Sequence, residues 1–92
     1  MNASCEVIVF KVRREADGLY TATSAQLSGV FVCHRVLEKI VEDMPQIVQL
    51  WFKRHKNMAV EVLKGPVSHD DDTTSYLVGT VPAEIAAQAL AR

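Results

Sequence analysis

Between Val36 and Arg54 apolar residues recur at three- and four-residue steps. Val36, Leu37, Ile40, Val41, Met44, Ile47, Val48, Trp51 and Phe52 fall on one helical face. Glu38, Lys39, Glu42, Asp43, Gln46, Gln49 and Lys53 fall mostly off that stripe, which predicts an amphipathic helix of about five turns with a wet outer face. Pro45 opposes it, because it has no N–H and its ring presses on the carbonyl four residues back, at a cost of about 3 kcal/mol in a helix interior. Burying the nine large apolar side chains of the stripe is worth roughly 15–25 kcal/mol gross, before ordering entropy. One long helix kinked at the proline is the expectation. The alternative is a break at Asp43 with a second helix starting at Met44 or Pro45, since proline is also favoured in a first turn.

Ahead of the helix the period changes from helical to alternating. Cys5 to Arg14 places Val7 and Val9 on one side and Ile8, Phe10 and Val12 on the other, so this strand is apolar on both faces and reads as central, its second face covered by another element or another subunit. Glu15-Ala16-Asp17-Gly18 is a turn, followed by a strand from Leu19 to about Ser24, a Ser28-Gly29 corner and a short third strand over Val30 to Cys33. The usual N-cap residues are missing at the helix start, where His34 stands and accepts a hydrogen bond only when neutral. At the far end Lys53-Arg54-His55-Lys56 suits the negative end of the macrodipole, and Asn57 suits a left-handed cap.

Beyond the helix Met58, Val60 and Val62 alternate with Ala59, Glu61 and Leu63 as a fourth strand ended by Gly65-Pro66, and a right-handed crossover would set it parallel to the first. Val67 to Thr74 reads as a polar loop. Ser75 to Val81 reads as a short fifth strand, pairing with the fourth or with a neighbouring molecule, and Pro82 opens a helix over Ala83 to Ala91. The apolar side of that helix, Ile85, Ala86, Ala89 and Leu90, is thin, so it must dock to persist, and a second subunit is a natural place. The resulting class is α+β: a three-stranded antiparallel meander, a long kinked helix, a fourth strand parallel to the first, then a short strand and a C-terminal helix.

At 92 residues the chain is expected to be one domain, with a core over about 5–64 and an extension over 75–92. A net charge of −1 with both signs interspersed offers no strong field for nucleic acid. No basic leader and no membrane-length apolar run stands in the sequence, and the expected location is cytoplasmic. Cys5 and Cys33 form no metal or redox spacing and read as buried reduced thiols. His69 with Asp70, Asp71 and Asp72 invites a metal reading, but consecutive loop acids without the glycine-bearing calcium-loop spacing do not converge on one ion, so no metal and no cofactor is expected.

Phe10-Lys11-Val12, Asp17-Gly18-Leu19-Tyr20-Thr21-Ala22-Thr23 and Leu27-Ser28-Gly29-Val30, followed by an amphipathic helix, resemble the core of the HicB-like antitoxin superfamily, and Met44-Pro45-Gln46-Ile47 is similar to a branch of small proteins related to it. The resemblance spans Glu6 to Leu63. It implies a partial ribonuclease H-like fold, with a fourth strand beside the first, dimers or larger oligomers, and neutralisation of a small RNA-cleaving toxin. Ser28 stands where the family commonly has proline, His34-Arg35 replace small polar residues, and Ser75 to Arg92 lacks the second helix of a ribbon-helix-helix.

The leading expectation is therefore a non-enzymatic module that self-associates as a homodimer or larger homo-oligomer and binds a protein partner. Glu15, Asp17, Asp70, Asp71 and Asp72 would supply acidic complementarity to a basic toxin. An enzyme is not expected: a metal nuclease of such a fold starts from an acid in mid strand one, where Val9 and Phe10 stand, and Cys33-His34 on a strand point to opposite faces. The alternative is RNA binding without catalysis, through Lys11, Arg13, Arg14, Arg35, Lys53, Arg54 and Lys56 with Tyr20 or Phe31.

Overall fold

The computed structural model describes residues 5–89. Along it run β1 (Cys5–Arg14), β2 (Tyr20–Thr23), β3 (Phe31–His34), α1 (Leu37–Lys56), β4 (Leu63–His69), β5 (Thr74–Pro82) and α2 (Ala83–Ala89). The strands make one five-stranded sheet in the order β3-β2-β1-β5-β4, and every pairing in it is antiparallel. The α+β class, the antiparallel meander and the long helix follow the hydrophobic pattern. The parallel fourth strand does not.

α1 runs unbroken through Pro45, so the break at Asp43 does not occur. Its stripe lies against the sheet: Ile40, Met44, Val48, Trp51 and Phe52 are buried with Ile8, Phe10 and Val12 of β1, Ala22 of β2, and Leu77 and Val81 of β5. The period-two rule of the strands selects which side chains meet it. At its start, Val36 occupies the N-cap without a side-chain cap, and the Val36 N–H donates to His34 Nδ1 at 3.2 Å. At its end Asn57 takes the left-handed conformation with φ 53°, and the Asn57 N–H donates to the Lys53 carbonyl at 3.0 Å. Trp51 ties the helix to the glycine corner by donating its Nε1–H to the Ser28 carbonyl at 2.9 Å.

The largest correction concerns the chain after α1. Residues 57–62 form no strand. Val60 and Val62 are buried, as their alternation requires, but the Val60 carbonyl accepts from Gln49 Nε2 at 3.2 Å and the segment ties helix to sheet without strand pairing. The strand begins at Leu63, where the sequence pattern ends one, and runs through Gly65-Pro66. Proline is accepted there because β4 is an edge strand and a bulge lies between Lys64 and Val67. Gly65 is required at that bulge, since a Cβ would stand 2.6 Å from Val78 Cγ2.

β5 is also not a short appendage. Its nine residues pair with β1 from Thr74↔Arg13 to Pro82↔Cys5, so an antiparallel strand takes the place beside β1 that the parallel strand was expected to fill. Its alternate residues Ser75, Leu77, Gly79 and Val81 are buried. α2 starts after Pro82 and packs on β5 and β1 of its own chain, with Ile85 against the core. Expectations for Leu90 and Ala91 lie outside the described residues, as do those for the side chains of Cys5, Ala86 and Ala89. Cys33, expected as a buried thiol, is exposed on β3.

Candidate functional site

Antiparallel pairing of β1 with β5 decides where the candidate acids go. The C-terminal end of β1 lies beside the start of β5, so the β1–β2 turn and the β4–β5 turn meet at one end of the sheet, joined by the Arg14 N–H donating to the Thr73 carbonyl at 2.7 Å. Glu15 and Asp17 come from the first turn, and Asp70, Asp71 and Asp72 from the second. All five are exposed. None of them has a lysine or arginine partner among the described residues, where the ion pair found is Lys39–Asp43 at 3.5 Å on α1.

Two of these acids are committed to their own turns. Gly18, at φ 89°, closes the first turn, in which the Glu15 N–H donates to the Leu19 carbonyl at 2.7 Å and the Leu19 N–H to Asp17 Oδ1 at 3.0 Å. In the second turn Asp71 Oδ1 accepts from the Thr73 N–H at 2.8 Å, the Thr73 hydroxyl at 2.9 Å and the Thr74 N–H at 2.8 Å. The Thr73 backbone bond, then the Thr73 hydroxyl, hold the Asp71 carboxyl below the ordinary carboxylate range, because they favour the charged form. Glu15 Oε2 accepts from the Thr21 hydroxyl at 2.9 Å. Asp70 and Asp72 make no side-chain bond among the described residues and are free to face a partner.

Around the corner a cleft of 320 Å³ is lined by Arg14, Tyr20, His69, Asp71, Asp72 and Ser75 among others. Here His69 Nδ1 lies 2.8 Å from the Ser75 hydroxyl, the two residues standing directly opposite on β4 and β5. Sequence reasoning missed this pair, and no signal in the chain reveals it, because it depends on the register of a strand placed elsewhere by the alternation. A hydroxyl beside an imidazole resembles half of a nucleophilic triad, but the third member must orient the imidazole. No carboxylate bonds His69 among the described residues, and Asp71 is engaged by Thr73 and Thr74. The pair as it stands closes a hairpin. No group of three His, Cys, Asp or Glu side chains among the described residues is arranged to hold a metal ion, and no helix among them is long and apolar enough to cross a membrane.

The second notable surface is the sheet face turned away from α1. Cross-strand register sets Phe31, Thr23, Lys11, Tyr76 and Ser68 in one row across all five strands, with Val7, Thr80 and Leu63 in another. Phe31, Leu63 and Val7 on this face are 66, 60 and 45% exposed. The covering element expected over the second face of β1 is not supplied by α1. The basic residues considered for RNA are divided: Lys11 and Arg13 stand on this face, Arg14 lines the cleft, Lys53, Arg54 and Lys56 lie in the last turn of α1, and Tyr20 packs toward the core.

Comparison with protein-family models, with curated proteins and with solved structures finds no match to this chain.

Proposed function

We propose that the chain is a non-enzymatic interaction module of the HicB-like kind, which self-associates and binds a small basic protein of the toxin type. The observation that carries the self-association is that, among the described residues, the sheet is covered by a helix on the α1 side and leaves apolar side chains exposed on the other. Val7, Phe31 and Leu63 remain exposed opposite α1, and burying side chains of this kind is worth about 1.5–3 kcal/mol each, which a second protein surface would recover. The partner reading is supported by the convergence of five carboxylates at one tip, where a basic surface would be steered and oriented.

Light scattering across the micromolar range tests the first part: a dimer or larger species is expected, and a monomer throughout overturns it. For the second part, Asp70→Lys with Asp72→Lys should slow association with a basic partner protein, while leaving the turn held by Asp71 in place; an unchanged association rate overturns it.

RNA binding without catalysis remains the alternative, favoured by one observation, Lys11 standing between Phe31 and Tyr76 in the exposed row with Arg13 next along β1. Affinity for single-stranded RNA that falls steeply with salt would support it, and a shallow dependence would remove it.

A further inference from the structure

The sheet has two outer edges, and they are built differently. β4 carries Pro66, Lys64 and a bulge, all devices that prevent another strand from adding to an edge. β3 carries none of them. Phe31, Val32, Cys33 and His34 pair in regular register with β2, and the strand contains no proline, no lysine and no bulge.

The direction of its backbone groups follows from the ladder. Gln26 bonds the Val9 N–H and the Val7 carbonyl on the β2 side of β1, and the Arg14 N–H bonds Thr73 on the β5 side. Odd residues of β1 therefore point to β2, so Lys11↔Thr23 and Arg13↔Thr21 are its hydrogen-bonded pairs. Ala22 and Tyr20 then point to β3 and bond Val32 and His34. Phe31 and Cys33 are left with N–H and C=O groups directed out of the sheet. Their side chains are exposed on the face away from α1.

We propose that this edge pairs with β3 of a second copy, antiparallel across a two-fold axis at Val32, joining two five-stranded sheets into one. The proposal rests on the self-association read above and places it at the sheet edge rather than on the open face, so that Val7 on β1 and Leu63 on β4 are not covered by it. Self-pairing is favoured because the edge is complementary to itself. Centring on Val32 sets each Phe31 opposite Cys33 of the other copy, so the outward groups of both residues are satisfied in both chains. Sliding by one residue would oppose outward groups to inward ones. His34 then faces Val30 of the other copy, and no like charges oppose within the paired strands. Phe31, 66% exposed in the single chain, gains a neighbouring side chain on the open face.

The register gives a test. A hydrogen-bonded antiparallel pair has Cα atoms about 5.5 Å apart, inside the range a disulfide spans. In a Cys5→Ser background, Phe31→Cys should give a disulfide-linked dimer under mild oxidation with molecular oxygen. The Cys5→Ser chain with Cys33 alone should not, because the two Cys33 residues are offset by two positions and lie about 9 Å apart. As a second measurement, Cys33→Pro removes an outward N–H and spares the β2 ladder; it is expected to shift the light-scattering mass from dimer to monomer with an unchanged circular dichroism spectrum. A wild-type monomer overturns the function reading and this inference together. A wild-type dimer in which Phe31→Cys forms no cross-link, or in which Cys33 alone cross-links as fast, overturns the edge pairing and leaves self-association standing.

Discussion

Gln26 does the work of a missing strand residue. β2 pairs with β1 only over Lys11 to Arg14, so the first half of β1 would present a bare edge on that side. The Gln26 carboxamide covers part of it, with Oε1 accepting from the Val9 N–H at 2.7 Å and Nε2 donating to the Val7 carbonyl at 2.6 Å. Only this orientation of the amide satisfies both partners. Two hydrogen bonds at a net 0.5–1.5 kcal/mol each set the upper range for Gln26→Ala, and access of water at the exposed Val7 end lowers it to about 1–2 kcal/mol. Each kcal/mol corresponds to about 4–8 °C in Tm for a domain of this size. Gln26→Glu is the sharper perturbation. At neutral pH the introduced carboxylate keeps the Val9 bond but turns an acceptor toward the Val7 carbonyl, whereas the protonated acid restores a donor. Its folded pKa is therefore raised above the ordinary glutamate value of about 4.3. A group raised on folding contributes stability that is present below its unfolded pKa and is lost as pH rises through its folded pKa. The deficit of Gln26→Glu against wild type, measured by urea unfolding at each pH, should be large at neutral pH and should shrink near about pH 4. A deficit that does not change with pH, or no deficit at neutral pH, would refute the assigned role.

Four further outcomes are expected. Pro45→Ala restores an N–H for the Val41 carbonyl within an unbroken helix and should raise stability by about 1–3 kcal/mol, read as a higher urea midpoint; a lower midpoint would show that the pyrrolidine ring packs better than alanine can. Asn57→Gly should be neutral or stabilising and Asn57→Ala destabilising by about 1 kcal/mol, because the position is left-handed; equal midpoints for the two would contradict that conformation. Gly79 lies under α1, where a Cβ would stand 3.1 Å from Met44 Sδ and 3.3 Å from Val62 Cγ1, so Gly79→Val should cost about 1–3 kcal/mol in thermal unfolding, and a wild-type Tm would refute the close approach. The Asp71 carboxyl, lowered by its bonds to Thr73 and Thr74, contributes stability present above its unfolded pKa and lost as pH falls through its lower folded value. An NMR titration should show the Asp71 carboxyl protonating below the ordinary carboxylate range, a displacement that Thr73→Val should weaken.

The sequence alone determined the elements whose signals are local. A nine-member stripe at helical spacing outweighs one proline, and a left-handed Asn57 and the Gly18 turn each require a conformation that few residues adopt. The buried identity of Val60 and Val62 was legible too, but their alternation reports burial and says nothing about which backbone groups pair. That is why residues 57–62 read as a strand and form a tie, while Gly65-Pro66, a stop signal in isolation, sits inside an edge strand that a bulge makes room for. The candidate acids were visible as two separate turns. Their meeting depends on β5 taking the place beside β1, a pairing of residues 61 to 77 positions apart that no local pattern encodes. The β4–β5 pairing placed His69 against Ser75, and the shortness of β2 left β1 with the gap that Gln26 fills. Local composition chose the helix and the turns; strand order, set by which long-range pairing buries Leu77 and Val81 with Ile8 and Phe10, was decided only by the assembled core.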